Sequence, residues 1–272
     1  MPADFYAQLY SSRCYAEEGK LKPHWWKPQP ISEFCPQLFS VENIEDEGVD
    51  ISLKKLIALG LELELPVGDF INQATKRELP KSDYMMKLLK SNIRDEAAHY
   101  KGFKYANDII NTPYIKEAEI IRKEWEAMTA HPIELARHLE VAVFLVTLGY
   151  MRIVGGHTLN HMAEEISRDE SRHVSTNTQI VKDLDLRSDL MKHSNKIIDW
   201  VFDRDFSHPM LGYKLTKDFF LEESASLVNG GFAPRLQELI ECCGAYVPPF
   251  ETSNSDIYSR TTEKPLEYAM AV

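Results

Sequence analysis

Asn92-Ile93-Arg94-Asp95-Glu96-Ala97-Ala98-His99 and Ile166-Ser167-Arg168-Asp169-Glu170-Ser171-Arg172-His173 carry the same short pattern, Arg-Asp-Glu-x-x-His, at two places far apart in the chain. In a helix, a Glu and a His three positions apart lie on one face about one turn from each other, so both can reach a single metal ion. One such pair is commonly a solvated surface pair. Two matched pairs in two helices fit the dinuclear carboxylate pattern, in which two Glu-x-x-His helices are joined by one Glu from each of two further helices.

That pattern requires an inward-facing carboxylate upstream of each pair. Upstream of Glu96 the choice lies between Glu62 and Glu64 in Gly60-Leu61-Glu62-Leu63-Glu64-Leu65-Pro66-Val67-Gly68. The helical neighbours of Glu64 are Ile57, Gly60, Leu61, Val67 and Ile71, whereas those of Glu62 include Lys55 and Asp69, so Glu64 falls on the apolar face and Glu62 is the alternative. Upstream of Glu170, Glu134 follows Pro132 in a first turn, where a carboxylate serves the helix dipole, and Glu164 and Glu165 belong to the last ligand helix itself. Glu140 sits beside Ala136, Val143, Phe144 and Thr147, a face on which an unpartnered carboxylate is costly. The expected metal ligands are therefore Glu64, Glu96, His99, Glu140, Glu170 and His173. Oxygen and imidazole donors suit iron or manganese better than zinc. The competing reading is a metal-free interior network of carboxylates and imidazoles.

Around these motifs, apolar residues three and four apart dominate from about 52 to 240, and strand-like alternation is scarce. The pattern predicts helices near 52–78, 83–110, 114–130, 133–156, 158–183, 188–203 and 214–243. Ser82 and Asp83 can cap, Pro113 and Pro132 suit first turns, and Pro80 closes the element before it. The fold class expected is all-α, a four-helix bundle with accessory helices. No Gly/Ser/Pro-rich linker divides the chain, which reads as one domain over 1–272: an N-terminal segment (1–47) with the aromatic stretch His24-Trp25-Trp26-Lys27-Pro28, a helical body (48–247) and a polar, flexible tail (248–272).

The 272 residues include 42 Asp and Glu against 31 Lys and Arg, a formal charge of -11 that argues against nucleic acid as the main partner. No window has the apolar length of a membrane span and no signal-peptide pattern opens the chain. Cys14, Cys35, Cys242 and Cys243 lack metal-finger or redox spacing, and a reducing cytoplasm is expected.

The residues around the motifs resemble the small subunit of class I ribonucleotide reductase, a branch of the ferritin-like superfamily. Ile166-Ser167-Arg168-Asp169-Glu170-x-x-His173 is similar to that family's last metal-binding helix. Glu140-Val141-Ala142-Val143-Phe144 resembles its Glu-x-x-x-Phe on the preceding helix, and Glu64-x-x-Val67-Gly68-x-x-Ile71 its first ligand helix. The resemblance implies a ferritin-like bundle, a homodimer and a dinuclear Fe/Fe or Mn/Fe centre. Such a centre uses dioxygen to supply an oxidising equivalent to a large catalytic subunit that reduces ribonucleotides. It also implies a hydrogen-bonded route through Trp26, Asp169 and His99, and a redox-active tail tyrosine, Tyr268, with Tyr258 the alternative.

Two departures qualify the resemblance. Where family members usually place a radical-bearing Tyr, four residues after the first metal-binding His, this chain has Phe103, which has no phenolic proton to lose. The expectation shifts to members that store the equivalent on a mixed manganese and iron centre, or to ones using another arrangement; Tyr100 is an alternative radical site, about 100 degrees around the helix from His99. The chain is also compact between Glu96 and Glu140. Two other functions are consistent with the motifs: a stand-alone oxygenase or oxidase acting on a small molecule or acyl chain, and iron storage.

Overall fold

The computed structural model describes residues 46–243 apart from 78, 80, 81, 155, 209 and 210. The segment with Trp26, the tail with Tyr258 and Tyr268, Pro80, Cys14 and Cys35 lie outside the described residues. Within them the protein is mainly helical: α1 (Glu47–Thr75), α2 (Asp83–Ile110), α3 (Ile115–Glu126), α4 (Pro132–Leu139), a π-helical turn (Glu140–Phe144), α5 (Leu145–Val154), α6 (Gly156–Asp183), α7 (Met191–Val201), α8 (Lys217–Gly230) and α9 (Pro234–Cys243).

Local chemistry sets the ends of these helices. Asp46 caps α1 by accepting from the N–H groups of Gly48 (2.8 Å) and Val49 (3.2 Å), while its second oxygen accepts from Ser207 N–H at 2.9 Å. One carboxylate thus starts a helix and ties it to a distant strand. Ser82 caps α2, and Asn111, in the left-handed conformation, closes it. Pro132 occupies the first turn of α4, where His131 and Glu134 form a reciprocal cap.

Four helical segments surround the centre. α1 packs on α2, α2 on α6, α6 on α4 and α5, and α4 on α1, which closes the ring. Its interior is lined by Leu56, Ile57, Leu63, Val67, Ile71, Leu139, Val143 and Ile166, all buried. At one end Phe202 and Phe220 stack at 3.7 Å between centroids, and Tyr150 meets both edge-on. This aromatic cluster joins α5 to α7 and α8.

Several sequence expectations need correction. The helix expected over 214–243 is two helices, because Gly231 adopts φ +71 and reverses the chain before Pro234 restarts it. Before it, Phe206–Ser207 and Lys214–Leu215 form a short antiparallel ladder, pairing Phe206 with Leu215, that periodicity did not reveal. α1 ends at Thr75 rather than 78, and α3 begins at Ile115, leaving Pro113 ahead of its first turn. The helix expected over 133–156 contains the π turn at Glu140.

Candidate metal centre

Each pair of functional side chains sits mid-helix, far from fraying ends. Glu64 lies on α1 two residues before Pro66, whose missing N–H removes one ladder bond without ending the helix. Glu96 and His99 lie on α2, Glu170 and His173 on α6, and Glu140 opens the π turn. A π turn inserts one residue into the ladder and is frequent at functional sites. All six side chains have 0% exposure.

Two overlapping groups of donors result. Glu64, Glu96, His99 and Glu170 form one, and Glu96, Glu140, Glu170 and His173 the other, the donor atoms in each lying within 4.8 Å of one another. Glu96 and Glu170 belong to both. Nδ1 of His99 stands 3.3 Å from Glu64, 3.5 Å from Glu96 and 3.2 Å from Glu170. Nδ1 of His173 stands 2.9 Å from Glu96, 3.5 Å from Glu170 and 3.8 Å from Glu140.

The outer nitrogens pair crosswise. Nε2 of His99 meets Asp169 at 3.3 Å, and Nε2 of His173 meets Asp95 at 3.5 Å. Each Asp precedes the Glu of the opposite motif, the register of two antiparallel helices crossing at this level. Arg172 reaches both aspartates, Asp95 at 3.5 Å and Asp169 in a closer ion pair. On the far side, Asn177 Nδ2 donates to both oxygens of Glu140, at 3.2 and 2.9 Å.

The inward atoms fit a cation better than they fit one another. Among the described residues, both oxygens of Glu96 and of Glu170, Oε1 of Glu64 and both ring nitrogens of His173 are buried without a hydrogen-bond partner. His173 Nδ1 and Glu96 Oε1 approach to 2.9 Å, yet neither aims a hydrogen bond at the other. They converge on a shared point, as ligands do, and unsatisfied buried polar atoms are otherwise too costly to collect in one place.

Electrostatics carry the same message. Burial, only partly offset by His99, pushes the Glu64 carboxyl well above its usual range, and burial with the neighbouring Glu170 charge does so for Glu140. Burial would raise Glu96 too, but the adjoining His173 and His99 rings hold it down to about 2. Burial would lower both histidines; instead the surrounding carboxylates of Asp169, Glu170 and Glu64 raise His99, and those of Glu96, Asp95 and Glu170 raise His173. The interior attracts positive charge, and these buried Glu and His groups could hold a metal ion.

The structure therefore brings together Glu64, Glu96, His99, Glu140, Glu170 and His173, with Asp169 beside His99. Glu62 instead accepts from Arg122 Nε at 2.9 Å, outside the cluster. Glu134 caps α4 and accepts from Ser188, and Glu164 and Glu165 hold Arg168. Phe103 is buried one turn beyond His99 and lies flat on Gly60 of α1, where a Cβ would overlap its ring. Sequence reasoning missed Asp95, Arg172 and Asn177. For Asp95 the signal was present, since it is the repeat's counterpart of Asp169. Compared with protein families, curated proteins and solved structures, the chain matches none.

Proposed function

We propose that this chain is the radical-generating small subunit of an aerobic ribonucleotide reductase, with a ferritin-like bundle around a dinuclear centre. The observation that carries the reading is the pair of overlapping four-donor groups sharing Glu96 and Glu170. Four carboxylates there would balance two divalent cations, leaving two neutral imidazoles as the remaining donors. Bound iron, or manganese with iron, would supply the oxygen-dependent redox chemistry.

The chain's own residues set the conditions for it. Glu96 and Glu170 are positioned to be shared, and Glu64 and Glu140 to complete opposite sides. Asp169, in hydrogen-bond contact with Nε2 of His99, and Asp95, 3.5 Å from Nε2 of His173, sit where they orient the two rings with each Nδ1 inward. Burial excludes water from all six donors. The His99–Asp169 contact supports the inner half of the expected route to Trp26, which lies outside the described residues. A large catalytic partner, a homodimer and a cytoplasmic setting belong to the same proposal. Among the described residues no helix is long and apolar enough to cross a membrane.

The test is reconstitution. Metal-free protein is loaded anaerobically with iron, or with manganese and iron, exposed to oxygen and followed by electron paramagnetic resonance. Ribonucleotide reduction is then measured with a cognate large subunit. Activity that requires both proteins and the metal supports the reading; none with any cognate large subunit overturns it. Phe103, which cannot carry a phenoxyl radical, favours a second reading as a stand-alone oxygenase or oxidase. Oxygen-dependent turnover of a small molecule or acyl chain without any partner would select it.

A further inference from the structure

Behind the ligand helices lies a cavity of about 340 Å³, bounded by α4–α5 on one side, α6 on another and the α8–α9 corner on the third. None of the six candidate donors lines it. Its walls are mixed: Val141, Leu145, Val174 and Leu236 form an aliphatic part, Ser167, Ser171, Thr178, Lys182, Asn229 and Gln237 a polar one, and Phe232, 42% exposed, is among its lining residues. The size suits a small organic ligand.

The anomaly is Arg152. It lines this cavity beside the aliphatic part, is 7% exposed and has no ion pair among the described residues, and its Nε is buried with no hydrogen-bond partner there. Glu164, the acid whose charge it feels, is held by Arg168 at 2.5 Å. Burial lowers the hold of Arg152 on its proton. Arg137 lines the far end and differs: its Nε already donates to Thr178 at 2.8 Å. A buried guanidinium without an ion-pair partner is expensive, and an incoming anion offsets the cost.

The geometry points to a binding site for a small amphiphilic carboxylate, its head on the Arg152 guanidinium and its apolar body along Leu145, Val141 and Leu236. Arg152 supplies a flat donor pair matched to a carboxylate. Gly149, on the same face one turn earlier, lets Leu236 of α9 pack directly against α5, where a Cβ would stand 2.9 Å from it, and so brings the aliphatic wall close to Arg152. The site is separate from the candidate metal centre and does not depend on the function proposed for it.

The test is calorimetric titration of the full chain with decanoate, and with 1-decanol as the uncharged isostere. Decanoate is expected to bind one per chain with Kd of about 10–100 µM, and decanol at least about tenfold more weakly. Arg152→Met should weaken decanoate at least about tenfold, while Arg137→Met changes it less than about threefold. Without ligand, Arg152→Met should also raise Tm by about 2–6 °C, because it removes an unpaired buried charge; a purely structural arginine would lower it. Val228→Trp, which fills the cavity from α8, should abolish binding and gives a second, independent readout. Absence of decanoate binding at millimolar concentration, equal binding of decanol, or unchanged binding in both Arg152→Met and Val228→Trp would overturn the proposal.

Discussion

His99 and His173 face each other across the centre with ring centroids 6.0 Å apart and planes inclined by 30°, each turning Nδ1 inward and Nε2 toward the aspartate of the other's motif. The site is thus nearly two-fold in its chemistry, and the consequences of altering each half can be compared directly.

Glu170 belongs to both donor groups, so its loss should affect all bound metal rather than half of it. Glu170→Ala is expected to reduce metal stoichiometry by elemental analysis and to abolish most of the metal-dependent rise in Tm. Unchanged metal content in Glu170→Ala would remove the basis for a metal centre.

The two aspartates should separate ligand orientation from electron transfer. Asp95→Asn and Asp169→Asn are each expected to weaken metal binding about 10–100-fold, as loss of an orienting carboxylate behind a metal-bound imidazole does. At saturating metal, only Asp169→Asn should still depress partner-dependent activity, since of the two aspartates only Asp169 belongs to the proposed route through His99. Equal activity of the two saturated variants would remove Asp169 from that route.

His138 gives the protein a defined acid sensitivity. Burial beside Trp125 lowers its pKa from 6.5 to about 4, while its Nε2 stays 3.0 Å from Ser194 Oγ. In this window the unfolded chain binds the proton and the folded one does not, so stability contributed by neutral His138 is complete above about pH 6.5. It falls as pH drops toward 4, by an amount on the order of 3 kcal/mol or less. Denaturant titrations at pH 7 and pH 4.5 should show a smaller pH-dependent loss in His138→Gln than in the parent; identical losses would assign the acid sensitivity to other groups.

Gly60 and Phe103 form a small-against-large pair between α1 and α2. Gly60→Ala should destabilise by about 1–3 kcal/mol despite the better helix propensity of alanine, because its Cβ overlaps the ring. Phe103→Leu in the same chain should recover part of the loss, and a double-mutant cycle measures the coupling. Additive effects would show that the two do not interact energetically.

Much of this was legible in the sequence, for identifiable reasons. The repeated Arg-Asp-Glu-x-x-His and the apolar neighbours of Glu64 and Glu140 are local patterns, and helical periodicity converts them directly into faces. Features that depend on three-dimensional pairing were not. The crosswise partnership of Asp95 with His173 requires the antiparallel register of α2 and α6, and Asn177 reaches Glu140 only because α6 passes behind it. The π turn at Glu140 has no residue signature, since Glu-Val-Ala-Val-Phe suits an α-helix equally well. Arg152 reads as an ordinary charge at a helix end until the α8–α9 corner covers it. The break at Gly230-Gly231 did carry a signal, two glycines followed by Pro234, which the surrounding apolar periodicity obscured.

The exchange of aspartates between the two motifs also bears on how the site matures. A nascent chain that has emerged only through α2 offers Glu96 and His99 but lacks the side chain that orients His99, which arrives some seventy residues later on α6. Neither motif is a finished chelator alone, so strong metal capture must wait until both helices have docked. On the proposed function, synthesis would thereby be protected from premature loading by whichever cation is most abundant, and metal selection would fall to the folded protein.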